Sequence, residues 1–142
     1  MTVAPCIDPS LPARPLSPGE CRDCLLRRHE GRLAYSTGRG PRSVVVNYAV
    51  HDDEIVLRVP EFNEICQYAP GCEVCLVIDE MLGADDEWVE VTASGVASVV
   101  DHCEHTSTER DDLDEVWPSG VTTSTLRVPI AELQGVVQET HA

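Results

Sequence analysis

From Arg32 onward, apolar and polar residues alternate with a period of two, in short runs separated by turn residues. Alternation of this kind places successive side chains on opposite faces of an extended strand. The runs are 32–37, 43–50 and 54–59, divided by the turns Gly38 to Pro41 and His51-Asp52-Asp53, and they predict a β-meander. Ile55, Leu57 and Val59 form one row of the third run, so Arg58 projects from the opposite face. A short helix is expected at 62–68 and a strand at 73–79. The longest run is 88–100: Val89, Val91, Ala93, Gly95, Ala97 and Val99 line one face, and Trp88, Glu90, Thr92, Ser94, Val96 and Ser98 the other. Gly95 inside it predicts a bend or a close approach of another backbone. Residues 108–117 read as a short acidic helix with Leu113, Val116 and Trp117 as its apolar stripe; a strand at 121–128 and a turn or strand at 130–138 follow.

Before the meander the period is helical. Ser17-Pro18-Gly19-Glu20 is a helix start, because Ser17 can accept from backbone N–H groups, Pro18 suits the first turn and Glu20 can complete a capping box. Cys21, Cys24, Leu25 and Arg28 continue at helical spacing, and a stop is expected near Gly31. Residues 1–16 carry Pro5, Pro9, Pro12 and Pro15 without any period and are expected to be a disordered tail, leaving 17–142 as one domain. About six strands, two or three short helices and no βαβ alternation predict a mainly β, antiparallel barrel.

Composition narrows the function. The chain has 142 residues and a formal net charge of −15, which disfavours nucleic acid as a partner. All 10 basic residues are Arg, so a Lys Schiff base and ordinary pyridoxal-phosphate catalysis are excluded, and any phosphate site must use Arg and backbone N–H groups. No apolar run approaches the ~18 residues of a membrane helix, and the first residues lack a basic stretch followed by an apolar one. A cytoplasmic protein is expected, with its 7 cysteines reduced.

Three constellations have ligand chemistry. Cys21-x-x-Cys24 and Cys72-x-x-Cys75 have the outline of a four-thiolate zinc site, but neither pair is set in a glycine-rich knuckle, and free buried thiols are the expected reading. Asp101-His102-Cys103-Glu104-His105 follows directly on a strand, where chain neighbours seldom converge on one ion, and reads as a polar turn. The acidic stretches Asp85-Asp86-Glu87 and Glu109 to Glu115 read as solvated faces. No metal is expected.

The order of motifs resembles a known family. Glu20-Cys21, Leu25-Leu26, Gly31 to Ala34, Val46-Asn47-Tyr48 and Ile55 to Arg58 are similar to the pyridoxamine 5'-phosphate oxidase-like split barrels. So are Val74 to Asp79, the Trp88 strand, Trp117 to Gly120 and Leu126 to Ile130, and the similarity runs unbroken over 17–138. The resemblance implies a split β-barrel that forms a homodimer, with FMN, or in some branches a deazaflavin or haem, in a groove between subunits. Carried over by position, Val46, Asn47 and Tyr48 border the flavin ring, Arg58 grips the phosphate and Trp117 packs near the cofactor. At the position of a small hydroxyl residue followed by Lys, this chain has Asn63-Glu64, and Val45 stands where relatives often have Pro. A carboxylate in place of a phosphate-binding cation matters, since one unit charge pair at ~6 Å and an effective dielectric of ~20 is worth ~3 kcal/mol before screening.

Three functions are therefore weighed. The first is a flavin (FMN)-dependent oxidoreductase acting on a small-molecule substrate. The second is a non-catalytic or deazaflavin-binding dimeric split barrel that has lost the FMN phosphate site. The third is a thiol or zinc protein using the cysteine pairs.

Overall fold

The computed structural model describes residues 13–82, 87–104, 109–110 and 116–139. Helix α1 (Pro18–Arg27) opens with the expected capping box: the Ser17 hydroxyl accepts from the Glu20 backbone N–H and the Glu20 carboxylate accepts from that of Ser17. It ends at Arg27, ahead of the expected stop at Gly31, because Arg28 turns extended and its N–H closes on the Cys24 carbonyl. Gly31 serves a different purpose. A Cβ there would lie 3.1 Å from both Leu76 Cδ1 and Val77 O, so glycine permits two strands to pack closely.

The strands in chain order are β1 (Ala13–Pro15), β2 (Glu30–Thr37), β3 (Gly40–Asn47), β4 (Ala49–His51), β5 (Glu54–Pro60), β6 (Glu73–Leu82), β7 (Glu87–Val96) and β8 (Ser98–Glu104). They are followed by β9 (Glu109–Arg110), β10 (Val116–Trp117), β11 (Thr122–Pro129) and β12 (Glu132–Glu139), while a short α2 (Glu64–Tyr68) lies between β5 and β6. Six strands form one sheet in the order β1-β12-β7-β6-β2-β3, and four form another in the order β4-β5-β11-β8. Every pairing is antiparallel. The architecture is a mainly β split barrel.

Two chain segments read from the pattern as single strands, 43–50 and 88–100, are each broken once, at Tyr48 and at Ala97. These are the corners where the chain passes from the six-stranded sheet to the four-stranded one. Both corner residues are buried, and loops satisfy their backbone: Tyr48 N donates to His29 O at 2.9 Å, and Ala97 N to Cys72 O at 3.0 Å. The β4–β5 turn is as short as the pattern implies, and Asp52 and Asp53 supply its positive φ values of 49° and 63°.

Two further expectations change. The end of the proline-rich segment is ordered, with Ala13 to Pro15 paired on β12 and Leu16 N donating to Gly135 O at 2.9 Å. Within 108–117, read as a helix, Val116 and Trp117 instead pair with Arg110 and Glu109 as β10 and β9. The spacing of Val116-Trp117 suits a strand as well as a helix, and a partner strand decides between them.

The core lies between the two sheets. Leu33, Ile55, Leu57, Leu76, Ile78, Val91, Leu126 and Val128 are buried in it, and α1 adds Cys21, Cys24 and Leu25. The alternation is kept on β5, where Ile55, Leu57 and Val59 are buried and Arg58 points the other way. No helix among the described residues is long and apolar enough to cross a membrane.

Candidate functional site

A groove runs where the open edge of the larger sheet meets the smaller one. Its walls are Val44 to Asn47 of β3, Arg58 to Pro60 of β5, Asn63 and Ile65 at the start of α2, and Trp117 of β10. Its volume is about 170 Å³. β3 is a terminal strand of its sheet, so among the described residues no strand pairs with its outer edge. A terminal strand turns backbone N–H and C=O groups outward from its sheet.

The groove brings together Val46, Asn47, Arg58, Asn63 and Trp117, residues far apart in sequence. Arg58 is steadied by the four-stranded sheet: its Nε donates to Thr125 Oγ1 at 3.2 Å, and Thr125 is the residue opposite it on β11. Asn63 is the N-cap of α2, its Oδ1 accepting from Ile65 N at 2.9 Å. Trp117 reaches the groove from the strand segment that pairs with β9.

Tyr48 and Glu64 stand elsewhere. Tyr48 is buried at the corner, its hydroxyl donating to Leu25 O at 2.6 Å, and burial pushes its ionisation well above the usual phenol range. Glu64, next to the groove-lining Asn63, turns towards the larger sheet. Its Oε1 accepts from the Tyr35 hydroxyl at 3.4 Å and lies 3.7 Å from Arg42 Nε. Burial, then the Glu64 charge, raises the Tyr35 phenol. Sequence reasoning did not single out Arg42 or Tyr35. Their meeting with Glu64 depends on register between β2 and β3, where Tyr35 faces Arg42, and no local motif records it.

A larger hollow of about 560 Å³ lies beside Arg28, Glu30, Arg32, Asp79, Glu80, Met81 and Trp88. Size alone would favour it over the groove. Its wall carries charges of both signs, and Glu80 is already paired with Arg27 and Arg28, whereas ligand sites are mostly apolar with a few placed polar groups. The groove, with four valines, a proline, an isoleucine and a tryptophan around one Arg and two Asn, has that character.

The cysteine pairs separate. Cys21 and Cys24 are buried on α1, Cys75 is half-buried on β6 and Cys72 is exposed. Burial, then the Glu80 carboxylate whose Oε1 lies 3.6 Å from its Sγ, raises the Cys24 thiol to about 11. Among the described residues no group of three or more His, Cys, Asp or Glu is placed to hold a metal. The side chains of the 101–105 cluster, Asp85-Asp86 and residues 111–115 lie outside the described residues.

Comparison with known proteins places this geometry in context. The family model of pyridoxamine 5'-phosphate oxidase matches residues 17–137. No curated protein matches the chain. Among solved structures, a FAD-binding protein from Mycobacterium smegmatis is 22% identical with a TM-score of 0.66, the match covering 88% of this chain and 97% of that one. A FAD-binding protein from Mesorhizobium loti is 21% identical with a TM-score of 0.68, over 91% and 98% of the two chains. A FAD- and haem-binding protein from Mycobacterium smegmatis is 12% identical with a TM-score of 0.63, over 89% and 74%.

Proposed function

Because the chain belongs to the pyridoxamine 5'-phosphate oxidase family, we propose that its groove binds a flavin of the FMN type and that the protein is a flavin-dependent oxidoreductase. The observation that supports this reading is the convergence of Val46, Asn47, Arg58, Asn63 and Trp117 on one groove at an open sheet edge. The donor set fits the group. The outer edge of β3 offers backbone hydrogen bonds to the polar rim of a flavin ring, the valines and Trp117 offer apolar contact, and Arg58 offers a permanently charged fork to a phosphate. Bound flavin supplies hydride and electron transfer, and the protein's part is to bind and orient it.

A second copy of the chain completes the site in this reading. The groove's 170 Å³ is below the ~300–1,000 Å³ of pockets that enclose a whole ligand, so a flavin lying in it needs cover from outside. Val45, on the groove wall, is 59% exposed, and Phe62, beside Asn63, is 84% exposed. Such apolar surface is suited to burial in a homodimer.

Glu64 favours a second reading, in which the barrel takes a deazaflavin or a flavin without its phosphate grip, or serves as a cofactor-free dimeric module. Glu64 directly follows the groove-lining Asn63, and its carboxylate, turned to Tyr35 and Arg42, stands where the family resemblance implies a cation. Absorption spectra and titration calorimetry of the full chain with FMN, FAD, riboflavin and a 5-deazaflavin separate these. Tight FMN binding with a flavin spectrum, and a mass twice the 15.5 kDa of one chain by light scattering, are expected. Binding of none of the four, with the dimer intact, overturns the flavin reading in favour of the cofactor-free module.

A further inference from the structure

We propose that the hollow beside Trp88 is a binding site for a small zwitterion with an excess of positive charge, carrying one carboxylate and two ammonium groups as a diamino acid does. The inference is separate from the flavin reading, since it concerns another face of the six-stranded sheet and its test needs no flavin. At about 560 Å³ the hollow falls within the ~300–1,000 Å³ of sites that enclose a small ligand. The charges that make its wall unsuited to a flavin ring suit a ligand that itself carries both signs.

Strand register makes the hollow. β2 and β6 are paired only from Arg32–Val77 to Ala34–Cys75, although both strands run on beyond Arg32 and Val77. Continued in that direction, the same register would set Glu30 opposite Asp79, and like charges directly opposite one another disfavour pairing. The ladder stops short of them, and Glu30 and Arg32 of β2 line the hollow together with Asp79 and Met81 of β6. Alternation puts Glu30 and Arg32 on the face of β2 away from the buried Leu33 and Tyr35, and Asp79 and Met81 on the face of β6 away from Leu76 and Ile78.

Three of these charges are uncommitted. Glu80 is held by Arg27 and Arg28, but among the described residues Glu30, Arg32 and Asp79 have no ion-pair or hydrogen-bond partner, one another included. Two carboxylates against one guanidinium are neutralised by a ligand of net charge about +1. Trp88 points to a ligand independently. It lines the hollow at only 7% exposure, and its indole N–H has no acceptor among the described residues. A buried N–H without a partner costs ~1–3 kcal/mol, which an acceptor atom on a ligand removes. Arg32 and Trp88 therefore supply donors to a carboxylate, and Glu30 and Asp79 supply acceptors to ammonium groups. The Trp88 ring and Met81, opposite each other on β7 and β6, offer apolar contact to the methylenes between.

The probe is L-lysine, titrated by calorimetry into the full chain beside norleucine, which lacks the second ammonium group, and cadaverine, which lacks the carboxylate. L-lysine is expected to bind about tenfold more tightly than either, because each control forfeits a charge-assisted contact. Arg32→Gln is expected to weaken L-lysine about fivefold and cadaverine less than about twofold, whereas Asp79→Asn weakens both about fivefold. L-lysine should also change the tryptophan emission of wild type but not of Trp88→Phe, which retains Trp117. Each variant is checked for an unchanged thermal unfolding profile, and the three probes on wild type decide the matter without any substitution. Equal binding of the three, no binding of L-lysine, or an emission change that persists in Trp88→Phe overturns the proposal and leaves the flavin groove standing.

Discussion

A methyl group on Gly95 would lie 2.0 Å from the carbonyl oxygen of Pro129, far inside van der Waals contact. The end of β11 crosses the end of β7 there, with Val128 Cγ1 also 3.2 Å from the same point and Ala131 N donating to Ser94 O at 2.8 Å. The two sheets are locked together at this crossing.

Gly95→Ala is therefore expected to destabilise the fold by about 3 kcal/mol, the upper range for overpacking, because the obstacle is backbone and cannot turn aside. Urea unfolding of the variant against wild type measures it. A loss under about 1 kcal/mol would show that the strands can separate at this point without penalty.

Arg58→Ala is expected to weaken FMN by ~1.5–3 kcal/mol, the scale of a hydrogen bond to a charged group, while riboflavin, which lacks the phosphate, is little affected. Equal loss for both ligands would place Arg58 at the ring instead. Calorimetry with the two ligands distinguishes these outcomes.

Cys24 and Cys72 should differ in reactivity. In the native protein iodoacetamide should modify exposed Cys72 well before Cys24, whose thiol is buried and raised to about 11. The raised value also sets a sign: the unfolded thiol ionises near 9.0 and the folded one two units later, so the stability Cys24 contributes is present below pH 9.0 and lost towards about 11. Cys24→Ala should flatten the alkaline limb of the stability curve, and peptide mass mapping after brief alkylation should find Cys72 first. Early labelling of Cys24 would contradict its burial.

The capping box predicts an acid limb. Glu20 sits below the usual carboxylate range, chiefly because it accepts from the Ser17 backbone N–H, with Arg14 adding to the effect. A depressed folded value means stability present above the unfolded value near 4.5 and lost as pH falls through the folded one. Glu20→Gln should reduce the difference in urea midpoint between pH 7 and pH 3, and Ser17→Ala should destabilise by about 1 kcal/mol at pH 7. An acid limb identical to wild type in Glu20→Gln would locate the titrating carboxylates elsewhere.

The sequence by itself determined the local elements whose causes are local. Ser17 to Glu20 carries its own cap chemistry, Asp52-Asp53 its own turn, and Ile55, Leu57 and Val59 their own buried row, so these are legible without the fold. Gly95 announced a close approach, and the order of motifs announced the family and its split barrel. Tertiary structure alone decided the rest. Tyr48 and Ala97 become corners because the barrel must close, and nothing in a two-residue period marks where a strand changes sheet. Val116-Trp117 became a strand because Glu109-Arg110 lay alongside it. Gly31 looked like a helix stop and proved to be the point where a Cβ would strike β6. Glu64 is the clearest case. In sequence it is an acid at an expected phosphate site, and its two partners, Tyr35 and Arg42, are brought to it only by the pairing of β2 with β3. Charge compensation between residues distant in the chain is a property of register, and register is set by the burial of whole strand faces rather than by any residue at the site.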